Sequence, residues 1–237
     1  MSKTKILNNI FIISVSVFLA LTIFLWATKP NIHKEEKKIS KVVENVTTNE
    51  DIKNLKAKYP DIYGKIYFNS LPNINYPVVM AENPKTYLYS DLDKKYNGMG
   101  VPFVYPKKEE NSDFKVIYAH AFTSKKPYMF TDLYKLLDID FYNKDPFFYI
   151  KTENSNKKYL IVGAFQIDTA KDKFYFHKNT FSNTDEKEKW YKEVKKRTKF
   201  KINRQINFEN EIVTLVTCTT DTVGGSKRIV IVGENIE

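Results

Sequence analysis

Two kinds of apolar pattern divide the chain. The first is a charge-free run of 23 residues, Ile6 to Thr28, between Lys5 and Lys29. As a helix rising about 1.5 Å per residue, it spans roughly 30 Å of hydrocarbon. Only Ser14, Ser16 and Thr22 interrupt Ile10 to Ala27, so no polar face of a buried core helix is present. The run exceeds a signal-peptide core, and Lys29-Pro30-Asn31-Ile32-His33 lacks the small residues of a cleavage site. The pattern predicts an uncleaved signal anchor over 6–28, after a short cytoplasmic tail, 1–5. Residues 29–50 are charged and poor in aromatics and read as a stem. Asp51, Ile52, Leu55 and Lys56 then fit a short amphipathic helix ending before Tyr59-Pro60, where proline discourages continuation.

The second pattern begins at Tyr63, where short apolar runs alternate with turns. Tyr63–Phe68, Asn73–Val79, Gly100–Tyr105, Lys115–His120, Pro146–Lys151, Lys158–Ile167, Glu211–Cys218 and Lys227–Gly233 read as strands. Eight strands with mostly local connections predict a closed or nearly closed barrel, which leaves no exposed edge. Two segments break the rhythm. Met129–Leu137 reads as a short helix. Thr184–Lys199 reads as a longer one, with Trp190, Tyr191 and Val194 on one side. Ser182 or Asn183 is placed to cap it, with acidic residues in its first turn and Lys195, Lys196 and Arg197 in its last. The prediction is a mainly β catalytic domain over 51–237 with peripheral helices.

Charge changes the picture little. The formal net charge is +10, but only three of the 38 basic residues are arginine. A nucleic-acid surface relies on clustered arginine for bidentate contacts, so a solvated lysine-rich surface is the better reading. One cysteine excludes an intramolecular disulfide and any multi-cysteine metal site. His33 and His177 lack metal-ligand spacing, so no metal and no cofactor are expected.

The candidate chemistry sits at strand ends. Cys218 closes Thr214-Leu215-Val216-Thr217-Cys218 and is followed by the polar turn Thr219-Thr220-Asp221-Thr222. An arbitrary free cysteine is a small buried hydrophobe. Here alternation puts Ile212, Thr214, Val216 and Cys218 on one face, with the thiol at a strand mouth open to substrate. His120 ends Val116-Ile117-Tyr118-Ala119-His120 and precedes a loop, Ala121–Pro127. Arg228 opens an otherwise apolar strand, where an unpaired charge is costly and calls for a partner or a ligand. Taken singly, His120 fits a hydrogen-bonded structural histidine and Arg228 a surface ion pair.

Together they resemble the sortase family, class B in particular. TLVTC matches the family's TLxTC around its nucleophile, the histidine lies about a hundred residues earlier at a strand end, and the arginine opens the next strand. Tyr76-Pro77-Val78-Val79 resembles the family's early YPV strand, and Met129-Phe130 with Leu133 a class B segment. The long helical insertion between the sixth and seventh barrel strands is a class B trait. The likeness covers roughly 50–237 and the N-terminal anchor. Ala119, Ala121 and Val216 depart from the family's common glycine, asparagine and serine.

The resemblance implies an eight-stranded sortase-like barrel with an N-terminal helix, preceded by a transmembrane helix. It implies a thiol transpeptidase with Cys218 as nucleophile, His120 as general acid and base, and Arg228 stabilising the oxyanion or holding substrate. A thiolate attacks an amide to form a thioester, and an amine resolves it. Tyr118 and Thr217 are candidates for the substrate groove. The implied donor is a surface protein whose C-terminal sorting signal is cut after threonine. The implied acceptor is a peptidoglycan-precursor amine, or a pilin lysine in a polymerising enzyme. Partners are then sorting-signal proteins, a cell-wall amine and the membrane, with no nucleic acid. The domain is expected outside the cell on the resemblance, although the lysines after the apolar run argue the other way by the positive-inside rule. A surface cysteine protease and a non-catalytic surface-binding barrel are the competing readings.

Overall fold

The computed structural model describes Thr22 and residues 31–106, 112–123, 127–219 and 225–237. The apolar run expected to be an anchor lies outside the described residues, apart from Thr22. No helix among the described residues is long and apolar enough to cross a membrane.

Eight strands close into a barrel: β1 (Ile62–Tyr67), β2 (Asn75–Met80), β3 (Phe103–Val104), β4 (Phe114–Tyr118), β7 (Phe147–Lys151), β8 (Asn156–Asp168), β9 (Ile212–Cys218) and β10 (Lys227–Asn235). Their order around the barrel is β1-β2-β3-β4-β9-β10-β8-β7. The β2–β3 and β4–β9 pairs are parallel and the other pairs antiparallel. All eight expected strands are present. The third is the shortest, because Gly100 and Val101 belong to the preceding turn: Gly100 has φ +62° and Val101 N–H donates to the Tyr87 carbonyl. A small two-stranded ribbon, β5 (Ala121–Thr123) with β6 (Pro127–Met129), stands where the sequence suggests only a loop.

The α-helices that lie wholly among the described residues are α1 (Ile32–Ser40), α2 (Asn49–Lys58), α3 (Pro84–Leu88), α4 (Ile139–Lys144) and α5 (Thr184–Arg197). A capping box starts α2, with the Thr48 side chain accepting from Asp51 N–H and Asp51 reaching back to Thr48 N–H. The segment expected to be helical from Met129 becomes a strand residue and then a 3₁₀ turn, Thr131–Leu137. Residues 33–50 are not a detached stem. They belong to the same compact unit as the barrel, and Ile39, Val43 and Val46 are buried in it. The reason is the apolar spacing Ile39–Val43–Val46, which a charge-based reading passes over. Lys65 secures the seam by donating to the Val43 and Val46 carbonyls, each at 3.1 Å.

The insertion between β8 and β9 carries α5, capped by Asn183 accepting from Glu186 N–H. Trp190, Tyr191 and Val194 bury against Val162, Phe165, Val230, Val232, Ile212 and Val216. A helix cannot enter the barrel, so those strand residues define its outer face. The alternate set, including Leu215, Thr217 and Ile231, points inward. Gly163 makes the docking possible: a Cβ there would lie 2.4 Å from Val194 Cγ1.

Candidate active site

Register brings the three sequence-predicted residues to one place. Partners across a ladder share a face, and residues two apart share it again. Tyr118 pairs with Val216, Val216 with Val230, and Cys218 with Arg228. The parallel ladder continues one residue past β4, with Ala119 N–H donating to the Val216 carbonyl at 3.2 Å. His120 therefore follows at the level of Cys218, and β9 lies between β4 and β10. Cys218 and Arg228 pair on the outer face that α5 covers further down, and His120 lies two residues past the end of β4, the strand on the other side of β9. Cys218 is half-buried and free of any disulfide.

His120 is held rather than merely present. Its Nε2 lies 2.9 Å from the Leu88 carbonyl oxygen. A carbonyl only accepts, so Nε2 carries the proton and Nδ1 is the ring atom left for other work. Tyr89 and Phe122 flank the imidazole at centroid distances of 5.4 and 5.2 Å. Burial pushes the His120 pKa down, against the Leu88 hydrogen bond, which raises it. The ring is thus biased toward its neutral form. Among the described residues no hydrogen bond links His120 to Cys218.

The Leu88 carbonyl has its own support. Gly100 approaches so closely that a Cβ would sit 2.5 Å from both the Leu88 and Tyr87 oxygens. Asn83 caps the start of α3, with Pro84 in its first turn, and the helix ends at Leu88, whose carbonyl meets His120. Sequence reasoning missed Leu88, Tyr89 and Gly100. The Asn83-Pro84 start and the Asn97-Gly98-Met99-Gly100 turn were the available signals, although neither says which carbonyl they aim.

Arg228 folds over its own strand end. One guanidinium nitrogen donates to the Gly225 carbonyl at 2.6 Å and to the Lys227 carbonyl at 2.9 Å. Tyr118 packs against the α5 cluster and stacks on Phe103 at 5.6 Å. Burial, followed by the proximity of Tyr175 and Tyr105, raises its phenol pKa above the usual range. It therefore stays protonated near the groove. Thr217 is 3% exposed and by alternation points into the barrel, away from the Cys218 face. Its Oγ1 has no hydrogen-bond partner among the described residues. A substrate on the outer face does not reach that hydroxyl. No group of three metal-binding side chains occurs among the described residues.

The Sortase domain model matches residues 70–236. Sortase B of Listeria monocytogenes is 28% identical over 163 residues, 68% of this chain, and the matched stretch spans 64% of that relative's length. The structure of Clostridium perfringens sortase B is also 28% identical, with a TM-score of 0.69 over 78% of this chain and 99% of that one. Staphylococcus aureus sortase B, 21% identical, shares the fold, with a TM-score of 0.71 over 87% of this chain and 97% of that one. With a matching domain over most of its length, a closed eight-stranded barrel and sortase B structures as neighbours, the chain belongs to the sortase family, in its class B branch.

Proposed function

We propose that the protein is a cysteine transpeptidase that attaches sorting-signal proteins to a cell-wall amine. Cys218 is the nucleophile, His120 carries the protons and Arg228 faces the developing oxyanion. What supports this reading is the strand register, which pairs Cys218 with Arg228 and runs the end of β4, just before His120, alongside β9.

The thiol proton passes to His120 Nδ1 as sulfur attacks the carbonyl carbon of the signal's threonine. The tetrahedral oxyanion is stabilised by Arg228, whose planar fork retains donors beyond those engaged with Gly225 and Lys227. His120 returns the proton to the leaving amine, and a thioester remains on Cys218. The acceptor amine then attacks the thioester carbonyl, yields a proton to His120 and forms the new amide. His120 reprotonates the departing thiolate. The neutral ring favoured by burial suits the first step, because a protonated Nδ1 cannot accept. The domain works outside the cell, tethered through residues 6–28.

Mass spectrometry of the protein with a threonine-containing sorting peptide tests this. The expected result is a thioester adduct on Cys218, released by a glycine or diaminopimelate amine as a new amide. Cys218→Ala folds normally and forms no adduct. Adduct release only to water points to a peptidase, and transfer only to a pilin lysine points to a polymerising enzyme. Full turnover by the alanine variant sinks the cysteine mechanism.

A further inference from the structure

Helix α1 buries more than a tether needs to bury. Its Glu36 is 6% exposed, although carboxylates are costly to remove from water. From this one helix two separate chains of contacts run to His120.

The first reaches the imidazole. The Lys38 ammonium pairs with Asp91 and lies 3.4 Å from Asp93. Asp91 is buried and shapes the turn after α3, its Oδ1 accepting from Asp93 N–H at 2.9 Å and Lys95 N–H at 3.1 Å. The segment then closes back on α3. Asn97 N–H donates to the Tyr89 carbonyl and Val101 N–H to the Tyr87 carbonyl. Between those two carbonyls lies that of Leu88, which accepts from His120 Nε2.

The second reaches the backbone behind the imidazole. Tyr76 OH donates to Glu36 Oε1 at 3.2 Å and accepts from Met129 N–H at 3.1 Å. Met129 is held at φ +51°, a conformation uncommon for a non-glycine residue. The next residue, Phe130, donates its N–H to the His120 carbonyl at 3.0 Å.

We propose that α1 is a positioning element for His120, acting on the ring through Lys38–Asp91 and on the backbone through Glu36–Tyr76. The inference rests on the reading of His120 as the proton carrier. Lys38, Glu36 and Tyr76 act through Leu88 and Met129, so they are positioning residues. Loosening either chain lets the imidazole drift, and a small misplacement of a reacting group costs rate steeply. The ring also gains access to water. The groups that touch it are the Leu88 carbonyl and the Tyr89 and Phe122 rings, and the titratable or charged groups on the neighbouring strand ends are Cys218 and Arg228.

The test uses the full chain carrying Glu36→Ala with Lys38→Ala, beside Glu36→Gln, which keeps an oxygen for the Tyr76 hydroxyl. Nuclear magnetic resonance follows the His120 ring through a pH titration, and a sorting peptide gives kcat and KM for acylation. The double variant is expected to lose roughly tenfold in kcat. Its KM is expected to stay within about twofold. The His120 midpoint is expected to move upward, and Glu36→Gln is expected to match the wild type in both readouts. A folded double variant with unchanged kcat and midpoint overturns the proposal. If the double variant fails to fold, Lys38→Ala alone decides by the same two readouts, since the Lys38 side chain is 53% exposed and little packing is lost. The titration does not depend on the chemistry. A shifted midpoint in an enzyme indifferent to His120→Ala therefore defeats the catalytic reading while leaving the positioning intact.

Discussion

At the residue scale, the candidate site depends as much on a backbone oxygen as on its three side chains. The Leu88 carbonyl fixes the His120 tautomer, and Gly100 lets that carbonyl lie where it does. Gly100→Ala adds a Cβ at φ +62°, against two backbone oxygens that cannot swing aside. The expected cost exceeds about 1 kcal/mol of stability. Acylation should slow by more than that loss explains, because the carbonyl must move from the imidazole. Chemical denaturation and single-turnover acylation of the same sample separate the two effects. An alanine variant that is destabilised but acylates at the wild-type rate would show that the Leu88 contact is incidental. Cys218, His120 and Arg228 are legible in the sequence as candidates through their joint spacing around TLVTC, not singly. Leu88 is not, since any residue supplies a carbonyl. Thr217, a groove candidate from the sequence, is buried for a simpler reason. It is adjacent to Cys218 in sequence, and adjacency in a strand means the opposite face.

At the scale of elements, β8 and α5 form the part most clearly written in the chain. The acidic start, basic end and Trp190–Tyr191–Val194 side of α5 were readable, and its ends, Thr184 and Arg197, fall within two residues of expectation. The Asn183 cap and the Gly163 contact explain why the helix settles at this height on the sheet. Trp190 anchors it: the ring is 5% exposed, its Nε1–H donates to the Tyr175 carbonyl at 3.2 Å, and it meets Phe114 edge-on at 6.1 Å. Trp190→Ala should cost about 3–5 kcal/mol. The damage should extend to the Tyr175 stretch, whose aromatic side chain lies by Tyr118 at the groove. Thermal denaturation measures the first effect. A rise in KM for the sorting peptide, with thioester chemistry retained, measures the second. An unchanged KM in a folded variant would reduce α5 to a buttress. The N-terminal elements were harder to read. The charges of 33–50 suggest a solvated stem, yet three apolar residues at positions 39, 43 and 46 dock it on the barrel. Short helices are decided by such tertiary contacts rather than by composition.

At the scale of the whole molecule, burial of ionisable groups sets the pH range in which the barrel is stable. His120 and His177 are both pushed down by burial. The folded state then binds fewer protons than the unfolded state as pH falls below about 6.5, so stability is lost from there downward. Glu211 adds a second acid step. Burial raises its pKa, but Lys115, Lys157 and Tyr159 outweigh that and hold it below the ordinary value. Its contribution is present above about 4.3 and disappears as pH falls through the lower folded value. On the alkaline side, burial raises the Tyr76 and Tyr159 phenols above the usual range, and that of Tyr191 to about 12. The folded state keeps those protons, so stability declines above about pH 10. Melting temperature against pH should therefore rise in two acid steps, level off between about 7 and 10, and fall beyond. Glu211→Gln separates the steps. Lys115 Nζ lies 3.0 Å from Glu211 with its side chain only 3% exposed, and Lys157 Nζ lies at 2.8 Å. Removing the carboxylate leaves Lys115 buried without its counter-charge, which costs about 3–5 kcal/mol across the plateau. The step below about pH 4.3 should shrink, while the histidine step near 6.5 stays. A variant that keeps the full lower step would show that exposed carboxylates, not the Lys115–Glu211–Lys157 cluster, govern acid unfolding.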